Sequence, residues 1–136
     1  MARIVLTNAL VKIGNVDLSS HVSSVTITRN WAEVDTTSFG DSGRTRQGGL
    51  EDSSIAIDFH QDYQAASVDA TLSPLVGGTA SFYITSQGTA VSATNPKYTG
   101  TVLLTEYTPL AGAVGDLSTV SVTWPVSGIV TRGTVV

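Results

Sequence analysis

The chain has 136 residues, no cysteine and a formal charge of −4, from seven Lys plus Arg against eleven Asp plus Glu. That length suits one domain with one core, and the missing thiols exclude a disulfide framework, a thiolate zinc site and a cysteine nucleophile. Charged residues are only 13% of the chain, about half the roughly 25% usual for globular domains, which argues against the clustered Lys and Arg that phosphate neutralisation requires. Ser, Thr, Val, Ala and Gly fill the deficit, and this β-branched bias favours strands. The start, Met1-Ala2-Arg3-Ile4-Val5-Leu6-Thr7, is too short an apolar run for a secretory leader, and no apolar stretch has membrane-spanning length.

In chain order, Ala9 to Ile13 and Val16 to Leu18 flank Gly14-Asn15, a pair that closes a hairpin. From His21 to Trp31 the residues alternate: Val25, Ile27, Arg29 and Trp31 share one face, with Arg29 the odd member. The pattern breaks over residues 32–49, where Phe39 to Gly49 holds four glycines and two arginines, and a long loop is expected there, at the tip of an extended projecting hairpin. A strand resumes with Ile55, Ile57 and Phe59 on one face. Leu72 follows Val68 by four residues, and Leu75 and Val76 follow Leu72 by three and four, which predicts one helix between Ala65 and Val76, stopped by Gly77-Gly78 and shortened or tightened by Pro74. Strands are expected at Thr79 to Thr85, at Tyr98 to Thr108 with Val102-Leu103-Leu104 buried on both faces, and at Leu117 to Trp124. Ser127 to Val136 is an apolar end without an evident partner. The fold class is mainly β: a sandwich or barrel of about seven strands, one flanking α-helix and a long loop, in a single domain over residues 1–136.

Catalytic chemistry finds little support. Gly40-Asp41-Ser42-Gly43 matches four residues around the nucleophile of trypsin-like proteases, but Arg44 follows where another glycine belongs and no histidine motif accompanies it. Turn formation accounts for Asp-Ser-Gly. His21 and His60, with Asp58 or Asp62, lack metal-site spacing, and Asp35, Asp41, Glu51 and Asp52 form no calcium loop. No catalytic residue, metal or cofactor is therefore assigned. Arg44 and Arg46 fit two readings equally: bidentate clamps on carboxylates of a neighbouring subunit, or an ordinary solvated loop.

Four stretches together resemble the tail tube (major tail) proteins of long-tailed bacteriophages, those of actinobacteriophages in particular. They are Thr37 to Asp41 with Arg44-Thr45-Arg46, Ala70 to Gly77, Ser92 to Gly100, and Val114 to Leu117 leading into Val122-Thr123-Trp124. Their order and spacing carry the likeness. It implies a non-enzymatic virion protein, made in the host cytoplasm, that self-assembles into hexameric rings stacked as a conduit for DNA ejection. Its partners would be copies of itself and other tail proteins, with no membrane contact and with DNA passing unbound. By position, the loop and two terminal arms, Met1 to Thr7 and Ser127 to Val136, would reach neighbouring subunits. Phe39, Gly40, Asp41, Arg44 and Arg46 become interface candidates, and Asp52 and Asp58, opposite Ile55, Ile57 and Phe59, become lumen-facing candidates. The alternatives are a head-decoration or connector protein and a carbohydrate-binding or adhesion sandwich.

Overall fold

A computed structural model describes residues 5–65 and 67–135. Met1 to Ile4 of the expected N-terminal arm, and Val136, lie outside the described residues. Ten strands form: β1 (Leu10–Ile13), β2 (Val16–Asp17), β3 (Val22–Thr28), β4 (Trp31–Asp35), β5 (Arg46–Glu51), β6 (Ser54–His60), β7 (Thr79–Thr85), β8 (Lys97–Leu103), β9 (Thr119–Pro125) and β10 (Thr131–Gly133). A five-stranded sheet has the order β10-β8-β7-β1-β2, a three-stranded sheet the order β3-β6-β9, and β4 pairs only with β5. Among the described residues these strands pair antiparallel throughout.

The two larger sheets face each other across one core, as a sandwich. Ile55, Ile57, Phe59, Val120, Val122 and Trp124 meet Val11, Ile13, Phe82, Ile84 and Val102 there. The alternation in β6 and β9 is the cause: every second residue is apolar and buried. An isolated bridge between Val102 and Val126 ties the sheets at one edge. Trp124 is wholly buried, and its indole N–H donates to the Glu106 carbonyl at 2.9 Å, so the largest core side chain leaves no orphan donor.

The N-terminal hairpin forms as expected, with Ile13 opposite Val16 and both turn residues left-handed, Gly14 at φ 58° and Asn15 at φ 69°. The helix is shorter than expected. Helix α1 spans Val68–Leu72, and Ser73–Leu75 continues as a 3₁₀ turn. Before it, Asp62 accepts the Gln64 backbone N–H at 2.9 Å and the Ser67 hydroxyl at 3.0 Å, which commits those residues to a turn. After it, Pro74 supplies no N–H to an α-helical ladder.

Three further expectations are corrected. The alternating stretch from His21 to Trp31 is two elements, broken at Arg29-Asn30, and Trp31 is 48% exposed rather than in the core. Val102 and Leu104 are buried, but Leu103 between them is exposed, as a strand with one inward face requires. The C-terminal segment has a partner within the chain: β10 pairs with β8, Thr131 opposite Thr99, and Val130 is buried.

Candidate functional site

Residues 32–49, expected as loop throughout, are strand at both ends. Trp31–Asp35 and Arg46–Glu51 form a two-stranded ribbon, and only residues 36–45 are loop. No alternation marks it because every residue of β4 is exposed, so no face selects apolar side chains. Backbone pairing holds it, Val34 opposite Gln47 and Asp35 opposite Arg46, with exposed cross-strand charge added. The Arg44 guanidinium donates to Asp35 at 2.7 Å and Arg46 pairs with Glu33, while the Thr36 N–H donates to the Thr45 carbonyl at 2.9 Å. In the single chain, Arg44 and Arg46 thus engage carboxylates of their own hairpin. The Thr37 hydroxyl and backbone N–H, with Arg44 beside them, hold the Asp35 carboxyl below its usual range.

At the tip, Asp41 accepts the Ser38 N–H at 2.8 Å and its own N–H donates to the Ser38 carbonyl at 3.2 Å. Gly40 supplies the left-handed corner at φ 94°. Ser38 to Asp41 therefore form a closed turn, which takes in only the first residue of Asp-Ser-Gly, with Phe39 fully exposed within it. Val34 and Leu50 add exposed apolar surface along the ribbon.

The base of the hairpin is bonded differently. The Glu51 side chain is 4% exposed. Its Oε1 accepts from Arg29 at 3.2 Å, and its Oε2 accepts from the Ser53 hydroxyl at 2.7 Å and the Val130 N–H at 3.0 Å. Ser53, then Val130 and Arg29, draw its carboxyl down to about 2. The Arg29 guanidinium lies 4.9 Å from the Trp31 ring centroid. Arg29, the odd member of its strand in sequence, is thus explained by Glu51 and Trp31; Glu51 itself carried no signal in sequence beyond one more acidic residue.

The outer face of the three-stranded sheet is a second candidate surface. Cross-strand rows run Ser24, Asp58, Ser121 and Thr26, Ala56, Thr123. Asp58 lies there, on the face opposite Ile55, Ile57 and Phe59, among small hydroxyl side chains. Asp52 does not lie on this face; it is exposed at the junction between β5 and β6, its N–H donated to the Asn30 carbonyl at 2.6 Å.

The antiparallel register, with Val22 opposite Phe59, brings His21 and His60 to the same end of the three-stranded sheet, but among the described residues no three metal-ligating side chains gather there or elsewhere. His60 lies opposite Thr119, while His21 Nε2 lies 3.4 Å from Asp62 Oδ2 and 3.4 Å from Ser67 Oγ. Serine, histidine and aspartate meet here, yet the carboxylate and the hydroxyl share one ring nitrogen, so no proton relay through the imidazole is set up. The Gln64 N–H and Ser67 hydroxyl hold the Asp62 carboxyl low. Nearby, burial and the Asp69 carboxylate push the Tyr107 phenol up to about 12; its hydroxyl donates to Asp69 at 2.7 Å and accepts from Gln61, which fastens the segment after β8 to the helix. A groove of about 520 Å³ runs along β3, lined by Leu6, Val11, Ser19, Val22 and Val25 among others. Among the described residues, no helix is long and apolar enough to cross a membrane.

Comparison with solved structures gives two informative neighbours. A chain of the virion of a native gene transfer agent particle superposes with a TM-score of 0.71 at 16% identity, covering 92% of this chain and 95% of that one. The two share one fold. A chain from the tail of an empty gene transfer agent particle, with C6 symmetry, superposes with a TM-score of 0.61 at 15% identity, covering 82% of this chain and 81% of that one. No family model and no curated protein matches the chain.

Proposed function

We propose that the chain is the structural subunit of a phage-type tail tube, which acts by assembling into hexameric rings that stack around a passage for DNA. The observation that carries this reading is a fold shared over 92% of the chain with a gene transfer agent virion component, and over 82% with a chain from a C6-symmetric tail. The hairpin supports it: a ribbon with no core of its own and a fully exposed phenylalanine at its tip has a natural use against another copy. Phe39, Gly40, Asp41, Arg44 and Arg46 are the residues placed for that contact. There Arg44 and Arg46 exchange or share their carboxylate partners with the neighbour.

Asp58 and the Ser/Thr rows around it suit a passage wall. A polyanion slides past hydroxyls and a carboxylate without the counterion-releasing contacts that Lys or Arg would make. The role is non-catalytic, and the location is the virion tail.

Native mass measurement of the purified protein across a concentration series tests the reading. Species in multiples of six support the tube subunit. A stable trimer favours the head-decoration alternative, and a monomer at every concentration contradicts assembly.

A further inference from the structure

The β4–β5 hairpin is exposed along its length, with β4 exposed at every residue and β5 half-buried only at Gly49 and Glu51. Its angle to the sandwich is therefore decided at the base. Three backbone-linked contacts lie there: Asp52 N–H to Asn30 carbonyl at 2.6 Å, Asn30 N–H to Ser53 Oγ at 3.4 Å, and Val126 N–H to Ser53 carbonyl at 2.8 Å. These close the crossing of the two chains but leave the ribbon free to pivot about it. Two hairpin side chains reach beyond the crossing: Trp31 only to the Arg29 guanidinium, and Glu51 both to Arg29 after β3 and to Val130 before β10.

We infer that Glu51 is a positioning residue for assembly, which fixes the hairpin's angle to the sandwich and couples that angle to the C-terminal segment. The chemistry requires a carboxylate. Oε1 faces a guanidinium donor, while Oε2 faces a hydroxyl donor and a backbone N–H, so both oxygens must accept. A glutamine presents its NH₂ to donors on one side or the other and loses one set of bonds. The coupling to Val130 means that seating the C-terminal segment on β8 and setting the arm are one event. A preset arm docks without first losing the conformational freedom of a swinging one.

The consequence for assembly rests on the tube-subunit reading, but the angle is measurable in the isolated chain. Because the protein contains no cysteine, Ser42→Cys at the tip and Ser81→Cys on β7 allow two spin labels to be placed without background, and electron–electron double resonance on dilute monomer reads their separation. With Glu51 present a single narrow distribution is expected. Glu51→Gln widens it about twofold or adds a second population, and slows ring formation about tenfold, the cost of ordering the arm. The unfolding midpoint of Glu51→Gln falls with the bonds it loses, so the labels are read where both proteins are fully folded, and a native circular dichroism spectrum there separates positioning from a general loss of structure. Arg29→Gln, which removes one of the three bonds together with the stack on Trp31, leaves the Ser53 and Val130 bonds in place, gives an intermediate width and serves if Glu51→Gln does not fold. An unchanged distribution in both variants overturns the inference. A widened distribution with unchanged assembly kinetics overturns its assembly role. Wild-type protein that shows a narrow distribution yet never assembles refutes the tube reading and leaves Glu51's hold on the arm standing.

Discussion

Gly100 shows how one missing Cβ shapes this core. It lies opposite Phe82 in the β7–β8 ladder, and a Cβ there would come within 2.9 Å of the Phe82 ring and 3.0 Å of the Ile129 carbonyl. Phe82 is buried and the carbonyl is backbone, so neither yields readily. Gly100→Ala is expected to cost about 1–3 kcal/mol by overpacking, a fall in Tm of roughly 5–10 °C. Gly48→Ala, which meets nothing within 4 Å, is expected to stay within about 0.5 kcal/mol. Equal melting of the two variants in calorimetry would contradict this packing. Glu51 gives a pH signature. Its carboxyl is drawn from an ordinary 4.5 to about 2 in the fold, so its stabilising contribution is complete above pH 4.5 and is lost as pH falls toward 2. Urea midpoints of the wild type should therefore drop more steeply across that window than those of Glu51→Gln, whereas parallel curves would show that the buried bonds contribute nothing.

Elements differed in how legibly the sequence announces them, and the difference is physical. Ile55, Ile57 and Phe59, and Val120, Val122 and Trp124, alternate because one face of each strand is buried and the other is not; both strands could be placed from sequence. Pro74 marked the end of the helix for the same kind of local reason. The hairpin strands were illegible because β4 is exposed on both faces, which leaves a backbone ladder with exposed ion pairs nine and thirteen residues apart, Asp35 with Arg44 and Glu33 with Arg46, and no apolar alternation to read. Of the candidate site, the tip was visible as glycines and arginines, but its base was not, since the partners of Glu51 lie up to 79 residues away. The tip prediction is direct. Replacing Arg44 and Arg46 together with Ser should leave circular dichroism and Tm nearly unchanged, because the pairs they lose are solvent-exposed and screened, while light scattering shows impaired ring or tube formation. Unimpaired assembly would remove both arginines from the interface.

Over the whole molecule, the scarcity of charge first excluded partners and then described a surface. A sandwich with exposed apolar residues on its hairpin, and with Leu110, Val114 and Leu117 exposed in the segment before β9 at the far end of β6, carries uncovered apolar area at both ends of one sheet. That distribution suits a head-to-tail contact, which propagates as a filament. The hydroxyl face around Asp58 leads to a further expectation: duplex DNA at low salt should show no salt-dependent binding to the protein by fluorescence anisotropy, and a steep salt slope would contradict a passive wall. Self-assembly is tested most directly by negative-stain electron microscopy of the purified chain at rising concentration, alone and with tail initiator components. Sixfold rings and stacked tubes are predicted; isolated monomers at every concentration, with or without the initiator, would contradict them.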